Sequence, residues 1–211
     1  MTSRAQTRQN YDRMSRWYDL FAGSEKKFTD TGLQILGVKT GERVLEIGFG
    51  TGQALATLSQ QAGVAGLTAG VELSPGMIEV ARKRWQVKGP ERSGGMIRGD
   101  GTLLPFASNS FDAIFLSFTL ELFSDVEIPV VLEGCHRVLK REGRLGVVSL
   151  AKQNVLACRL YEWGHQGWPV VLDCRPIEVR KSLEAEGFRI QAAKLQSMWG
   201  LPVEITLCRP F

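Results

Sequence analysis

From Thr7 to Phe21 the apolar and aromatic residues Tyr11, Met14, Trp17, Tyr18 and Phe21 recur at spacings of three and four. That spacing places them on one face of a helix, with Arg8, Arg13 and Arg16 elsewhere around it. A second helix is predicted over Lys26–Gly37, stopped by Gly37 and the Lys39-Thr40-Gly41-Glu42 turn. Beyond it, short apolar runs alternate with helical ones. Arg43–Ile47, Leu67–Glu72, Gly95–Arg98, Ala113–Ser117 and Arg144–Leu150 read as strands. Gln53–Ala62 and Val126–Leu139 read as helices, as does Pro75–Val87, where Ser74 is the cap and Pro75 occupies the first turn. Short strands rich in β-branched and apolar residues, separated by helices, imply a parallel sheet covered on both faces.

The tail has a different pattern. Asn154–Gln166 reads as a helix, and Pro176–Glu186 as an amphipathic helix closed by Gly187. Arg189–Gln196 and Val203–Arg209 follow as two strands joined through Trp199-Gly200-Leu201-Pro202, a connection short enough to make the pair antiparallel. The expected architecture is α/β: a three-layer, doubly wound, Rossmann-like sheet of seven strands, mostly parallel with an antiparallel final strand. Residues 1–40 are expected to form an N-terminal helical lid or cap, and residues 41–211 the main domain.

Composition narrows the function classes. A chain of 211 residues with 44% hydrophobic and 23% charged side chains suits one α/β domain with modest additions. The net charge of +4 is far from the basic stripe of a nucleic-acid binder, so no nucleic-acid partner is expected. Cys135, Cys158, Cys174 and Cys208 lie far apart with no CxxC, and they read as reduced thiols of a cytoplasmic protein with no metal centre. The polar start MTSRAQTRQNYDR lacks the apolar core of a secretion signal, and no apolar run reaches the roughly 18 residues of a membrane span. At most, peripheral membrane contact is expected. The pattern says nothing of oligomeric state.

The candidate chemistry begins at Val44–Gln53, which reads VLEIGFGTGQ. Gly48, Gly50 and Gly52 stand between a strand and its helix, where glycine lets the backbone approach a ligand and take positive φ. The helix N-terminus beyond offers unpaired N–H groups to an anionic ligand group. Glu72, twenty positions after Gly52, ends the next strand, where a carboxylate can accept both ribose hydroxyls of a nucleoside. A dinucleotide fingerprint needs a further glycine three positions after Gly50, and Gln53 stands there. Gly99-Asp100-Gly101, followed by Leu104-Pro105-Phe106, puts an acid at the end of the third strand, where an adenine would lie.

From Tyr11 to Ala151 the chain resembles the ubiquinone/menaquinone biosynthesis C-methyltransferase family, within the class I enzymes that use S-adenosylmethionine (SAM). The pieces that carry the resemblance are YDRMSRWYDLF, VLEIGFGTGQ, GVELSPGMIEVARKR, GDGTLLPFASNSFDAIFLSFTL and HRVLKREGRLGVVSL. A parallel sheet ending in an antiparallel hairpin is the outline of that class. The resemblance implies that Gly48, Thr51 and Gly52 cradle the methionyl part of SAM, with Gly50 completing the loop. It implies further that Glu72 holds the ribose, Asp100 and Gly101 frame the adenine, Met77 packs on it, and Ser117 lines the cofactor near the sulfonium. S-adenosylhomocysteine is the product these roles imply.

The segment after the fourth strand reads Ser117-Phe118-Thr119-Leu120-Glu121-Leu122-Phe123, with Glu121 where the quinone family commonly carries an arginine. A carboxylate there could act as a base or attract an amine. Tyr18 from the aromatic helix and His165 from the divergent tail join Glu121 as candidate catalytic residues. The leading expectation is methyl transfer to a small or lipid-like hydrophobic acceptor, a quinone precursor first. N-methylation of an amine or phospholipid headgroup such as phosphatidylethanolamine, and a non-catalytic SAM-binding role, are the alternatives.

Overall fold

The computed structural model describes residues 23–87, 93–152 and 175–211. The predicted helix over 154–166 and the aromatic helix ending at Phe21 lie outside the described residues. Seven strands form one sheet: β1 (Arg43–Ile47), β2 (Leu67–Glu72), β3 (Gly94–Arg98), β4 (Phe111–Ser117), β5 (Leu139–Leu150), β6 (Phe188–Met198) and β7 (Leu201–Pro210). The helices are α1 (Lys26–Leu36), α2 (Gln53–Ala62), α3 (Pro75–Val87), α4 (Glu127–Val138) and α5 (Val179–Ala185), with a single 3-10 turn at Leu120–Leu122. The strand order is β3-β2-β1-β4-β5-β7-β6, and β7 alone runs against its neighbours. The expected fold class holds.

Side-chain alternation along the central strands builds two cores. On one face Leu45, Ile47, Ile114, Leu116, Leu145 and Val147 pack beneath α4 and α5. On the other, Val44, Ala113, Phe115, Val148, Val203 and Ile205 pack with Phe28, Leu33 and Leu36 of α1 and with Leu58 of α2. The α1 helix, part of the expected cap, is thus built into the core. No helix among the described residues is long and apolar enough to cross a membrane.

Several element boundaries differ from expectation, three of them for reasons the pairing shows. The fifth strand starts at Leu139, directly after α4, because Leu139 pairs with Phe111; the register then shifts before Arg144 meets Ala113. The last helix starts at Val179 rather than Pro176, because Ile177 is drawn into pairing: its N–H donates to Leu150 O and its carbonyl accepts from Lys152 N. The closing turn is only Trp199-Gly200, with φ of 52° and 87°. Two left-handed residues match the twist of a tight hairpin, so Leu201 and Pro202 belong to the strand.

Arg144 fastens the far end of α1. Its guanidinium donates to the carbonyls of Leu36 and Gly37, which end the helix, and grips both carboxylate oxygens of Glu42 at 3.0 and 2.7 Å. Both partners are mostly buried, so removing one strands the other's charge and the helix-end carbonyls. Arg144→Met is expected to lower unfolding free energy by about 3 kcal/mol. Urea unfolding would show a lower midpoint with an unchanged slope.

Candidate active site

The cleft opens where the carboxyl ends of β1 and β4 meet, the position at which doubly wound sheets hold their ligands. It measures about 310 Å³ and is walled by the glycine loop, by Glu25, Thr29 and Asp30 at the start of α1, and by Ser117 at the end of β4. The loop owes its shape to its glycines. Gly48, Gly50 and Gly52 take φ of 68°, 51° and 77°, all left-handed. A Cβ on Gly48 would lie 2.3 Å from Thr119 Cγ2, whereas one on Gly50 would meet nothing within 4 Å. Gly48 is therefore held by neighbouring protein, and Gly50 presents bare backbone to the cleft.

Glu72 reaches the loop from the adjacent strand. Its carboxylate accepts the Gly50 N–H at 3.0 Å and the Ser74 N–H at 2.8 Å. Ser74 also caps α3 as expected, its hydroxyl accepting the Met77 N–H at 3.2 Å. Arg84, on the same helix, donates to the Thr51 carbonyl and lines the cleft. Across the cleft, Ser117 Oγ lies 2.8 Å from Thr29 Oγ1, joining β4 to α1. Phe118 follows with φ of 50°, a strained value for an aromatic residue; its N–H donates to Val148 O and its ring packs edge-on against Phe28. The turn this creates aims the Thr119 hydroxyl back at Gly48 O, 3.3 Å away.

Of the residues singled out in the sequence, Gly48, Gly50, Thr51 and Ser117 line the cleft directly. Gly52 backs onto Ala81, and Glu72 meets the loop through Gly50. Asp100, at the end of β3, accepts from both the N–H and the hydroxyl of Thr102. Gly101 is packed beneath Phe123 and Ile47, and Met77 is fully buried. Glu121 is buried too, and it is not a cleft-lining residue. Its Oε1 accepts the Leu150 N–H at 3.1 Å, while Oε2 has no partner. Burial pushes its carboxyl up to about 8, so it carries a proton at neutral pH. Tyr18 and His165 lie outside the described residues.

One further residue stands out. Glu46, inside the apolar run VLEI, is 2% exposed and lines the cleft, and its Oε2 has no hydrogen-bond partner. Burial and the nearby Glu72 push its carboxyl up to about 8. Its sequence signals are a lone acid in an apolar strand and a place in VLEIGFGTGQ, one of the pieces that carry the resemblance; nothing in the sequence gave Arg84 or Thr29 a role, and both arrive from distant helices.

Residues 44–143 match the family described as methyltransferase domain. This span of the chain is similar to that family. Demethylmenaquinone methyltransferase of Thermotoga maritima is 35% identical over 149 residues, covering 68% of this chain and 61% of that protein. The ubiquinone/menaquinone biosynthesis C-methyltransferase of Teredinibacter turnerae is 34% identical over 138 residues, covering 65% of this chain and 53% of that protein. This chain therefore spans less than two thirds of either relative. A SAM-dependent methyltransferase from Aquifex aeolicus superposes with a TM-score of 0.66 at 19% identity, covering 87% of this chain and 89% of that one. The (4+2)-cyclase SpnF superposes with 0.78 at 20% identity over 97% and 95%. The fold is thus shared with a protein named for other chemistry, and fold alone does not set the reaction. The cleft has the parts that a nucleoside joined to a cationic amino acid would need: a bare backbone at Gly50, a carboxylate at Glu72 and an unpaired buried acid at Glu46.

Proposed function

We propose that this protein transfers the methyl group of SAM to a small, lipid-like hydrophobic acceptor, with a quinone precursor the leading candidate. The observation that carries the reading is the glycine loop tied to Glu72 across two neighbouring strand ends, in a chain whose relatives are named for methylating quinones. SAM supplies a methyl carbon already activated by its positive sulfur. The chain's own part is to bind, align and exclude water. Gly48, Gly50, Thr51 and Gly52 hold the methionyl part, Glu72 the ribose, and Asp100 the adenine side, with the buried Gly101 and Met77 behind it. Ser117 faces the transferred methyl, at the end of β4 where Thr29 closes over it. Glu121, buried outside the cleft, acts only through the turn after β4, which it ties to the end of β5 by accepting the Leu150 N–H.

Incubating the protein with methyl-labelled SAM and a bacterial lipid extract tests this. Label is expected in an organic-soluble product whose mass identifies the quinone ring. Label confined to protein or nucleic acid, or no transfer at all, would overturn the reading. A Glu121→Gln variant that kept full activity would remove that residue from the mechanism.

A further inference from the structure

Exposed apolar side chains are unevenly placed on this protein. Among the described residues the most exposed large hydrophobics are Leu103, Val126, Trp199 and Phe211, at 75%, 78%, 78% and 71%. Phe211 lies at the far end of the sheet, beneath the guanidinium of Arg189. The other three stand on the edge that carries the cleft. Leu103 closes the turn after the carboxyl end of β3, its N–H donating to Asp100 O. Val126 directly precedes α4, whose other end feeds β5 from the opposite edge. Trp199 is at the tip of the β6–β7 hairpin, beside the carboxyl end of β5, where Leu150 pairs with Val203 and the Ala151 N–H donates to Pro202 O. Trp199 is the least expected of the three. Its φ of 52° belongs to a turn position that favours asparagine or glycine, and a bulky side chain there costs free energy. Met198 and Leu201 fix the tip in the core, but the indole is left exposed, so packing does not offset the strain.

Cations share this edge. The core that holds Met198 and Leu201 also holds Phe28, and the exposed Lys27 next to it has its Nζ 4.6 Å from the Phe28 ring centre. Lys152 is exposed just beyond Ala151. Most acids of the same edge are engaged within the chain. Asp30 is paired with Lys26 and Asp125 with Arg175, while Asp100 and Glu127 accept from Thr102 and Ser124, and Glu25 lines the cleft wall.

We propose that this edge is a membrane-docking surface: the Trp199 indole enters the headgroup layer of a bilayer, Leu103 and Val126 seat beside it, and Lys27 and Lys152 attract anionic lipid. An indole, apolar with one N–H donor, suits the boundary between acyl chains and water, and lysines near an anionic leaflet add electrostatic attraction. Choosing a bilayer over a protein partner rests on the reading of a lipid-like acceptor. The cleft opens on the same edge, so an acceptor held in the bilayer by its chain reaches the cleft without crossing water.

Flotation of the whole protein with vesicles of phosphatidylcholine, with and without phosphatidylglycerol, tests this. Wild type is expected to float with the mixed vesicles, and brominated acyl chains to quench part of its tryptophan fluorescence. Trp199→Asn suits the turn better, so its urea midpoint should equal or exceed that of wild type. Its vesicle binding should fall roughly tenfold or more, because the buried indole is lost, and the quenching should vanish. Lys27→Gln with Lys152→Gln should weaken binding about fivefold per lysine, on anionic vesicles only. No flotation of the wild type, undiminished flotation or quenching of W199N, or unchanged binding of the lysine variant to anionic vesicles would overturn the inference. So would a dimer in sedimentation that W199N dissolves, which would give the surface to a second copy of the chain. Methyl transfer is read separately. W199N should match wild type on a short-chain, water-soluble quinol and lag on a long-chain one embedded in vesicles. Transfer to the soluble acceptor without vesicle binding removes this inference alone; Trp199-dependent binding without any transfer removes the acceptor reading alone.

Discussion

Glu72→Ala is expected to weaken SAM binding by roughly two orders of magnitude, while the protein remains folded. The carboxylate has two tasks on this reading. It accepts the N–H groups of Gly50 and Ser74, fixing the glycine loop against the end of β2, and its remaining lone pairs face the ribose. Hydrogen bonds to a charged acceptor contribute about 1.5–3 kcal/mol each, so losing two from the ligand gives about 3 kcal/mol or somewhat more. Calorimetry with S-adenosylhomocysteine would read the change directly. Glu72→Gln separates the two tasks: its amide oxygen can still accept one loop N–H, but the charge is gone, so a loss between wild type and alanine is expected. Unchanged affinity in the alanine variant would place the ribose elsewhere.

Gly48→Ala should have the second large effect, chiefly on stability. At φ of 68° a side chain costs about 1–2 kcal/mol whatever the surroundings. Here the new methyl would also lie 2.3 Å from Thr119 Cγ2 and 2.6 Å from its Oγ1. Overpacking of this kind typically costs a further 1–3 kcal/mol, so a total of about 3 kcal/mol is expected in urea unfolding. A second change distinguishes the two causes. Thr119→Ala removes both Cγ2 and Oγ1, so in the Gly48→Ala background, compared with Thr119→Ala alone, it should restore most of the packing share and leave the backbone share. An additive double variant would show that Thr119 is not what excludes the methyl. Gly50→Ala makes the contrast: its Cβ would meet nothing, and its cost should be the backbone share alone, with SAM affinity reduced because the methyl would stand in the cleft.

The first two strands were legible because each is short, apolar and followed by a turn into a helix. Arg43–Ile47, Gln53–Ala62 and Leu67–Glu72 have the bounds the pattern gives them. The boundaries that moved did so for tertiary reasons. Ile177 left its helix because its backbone groups found partners on Leu150 and Lys152, twenty-odd positions away, which no local spacing reveals. Leu139 entered β5 because Phe111 was beside it. The same division runs through the site. Gly48, Gly50, Gly52 and Glu72 sit in one stretch of strand, loop, helix and strand, so their convergence can be read along the chain. Thr29 and Arg84 reach the cleft from α1 and α3, and only the packing of those helices on the sheet brings them there. Glu121 shows the limit of reading residue type alone: an acid read as a base is neutral at physiological pH once its burial is known.

The Arg144 clamp has a consequence in time as well as in free energy. It joins Arg144 to Glu42 and Leu36, 102 and 108 positions away along the chain, so its formation must wait until β1, β4 and β5 stand side by side. Closing such long loops carries a large entropic cost, so this contact is expected to form late, on the native side of the barrier. Its loss is then felt on the way out of the native state: unfolding quickens while refolding keeps its pace. Arg144 thus works as a latch, setting how long the folded protein lasts, and with it how long the α1 wall of the cleft stays in place.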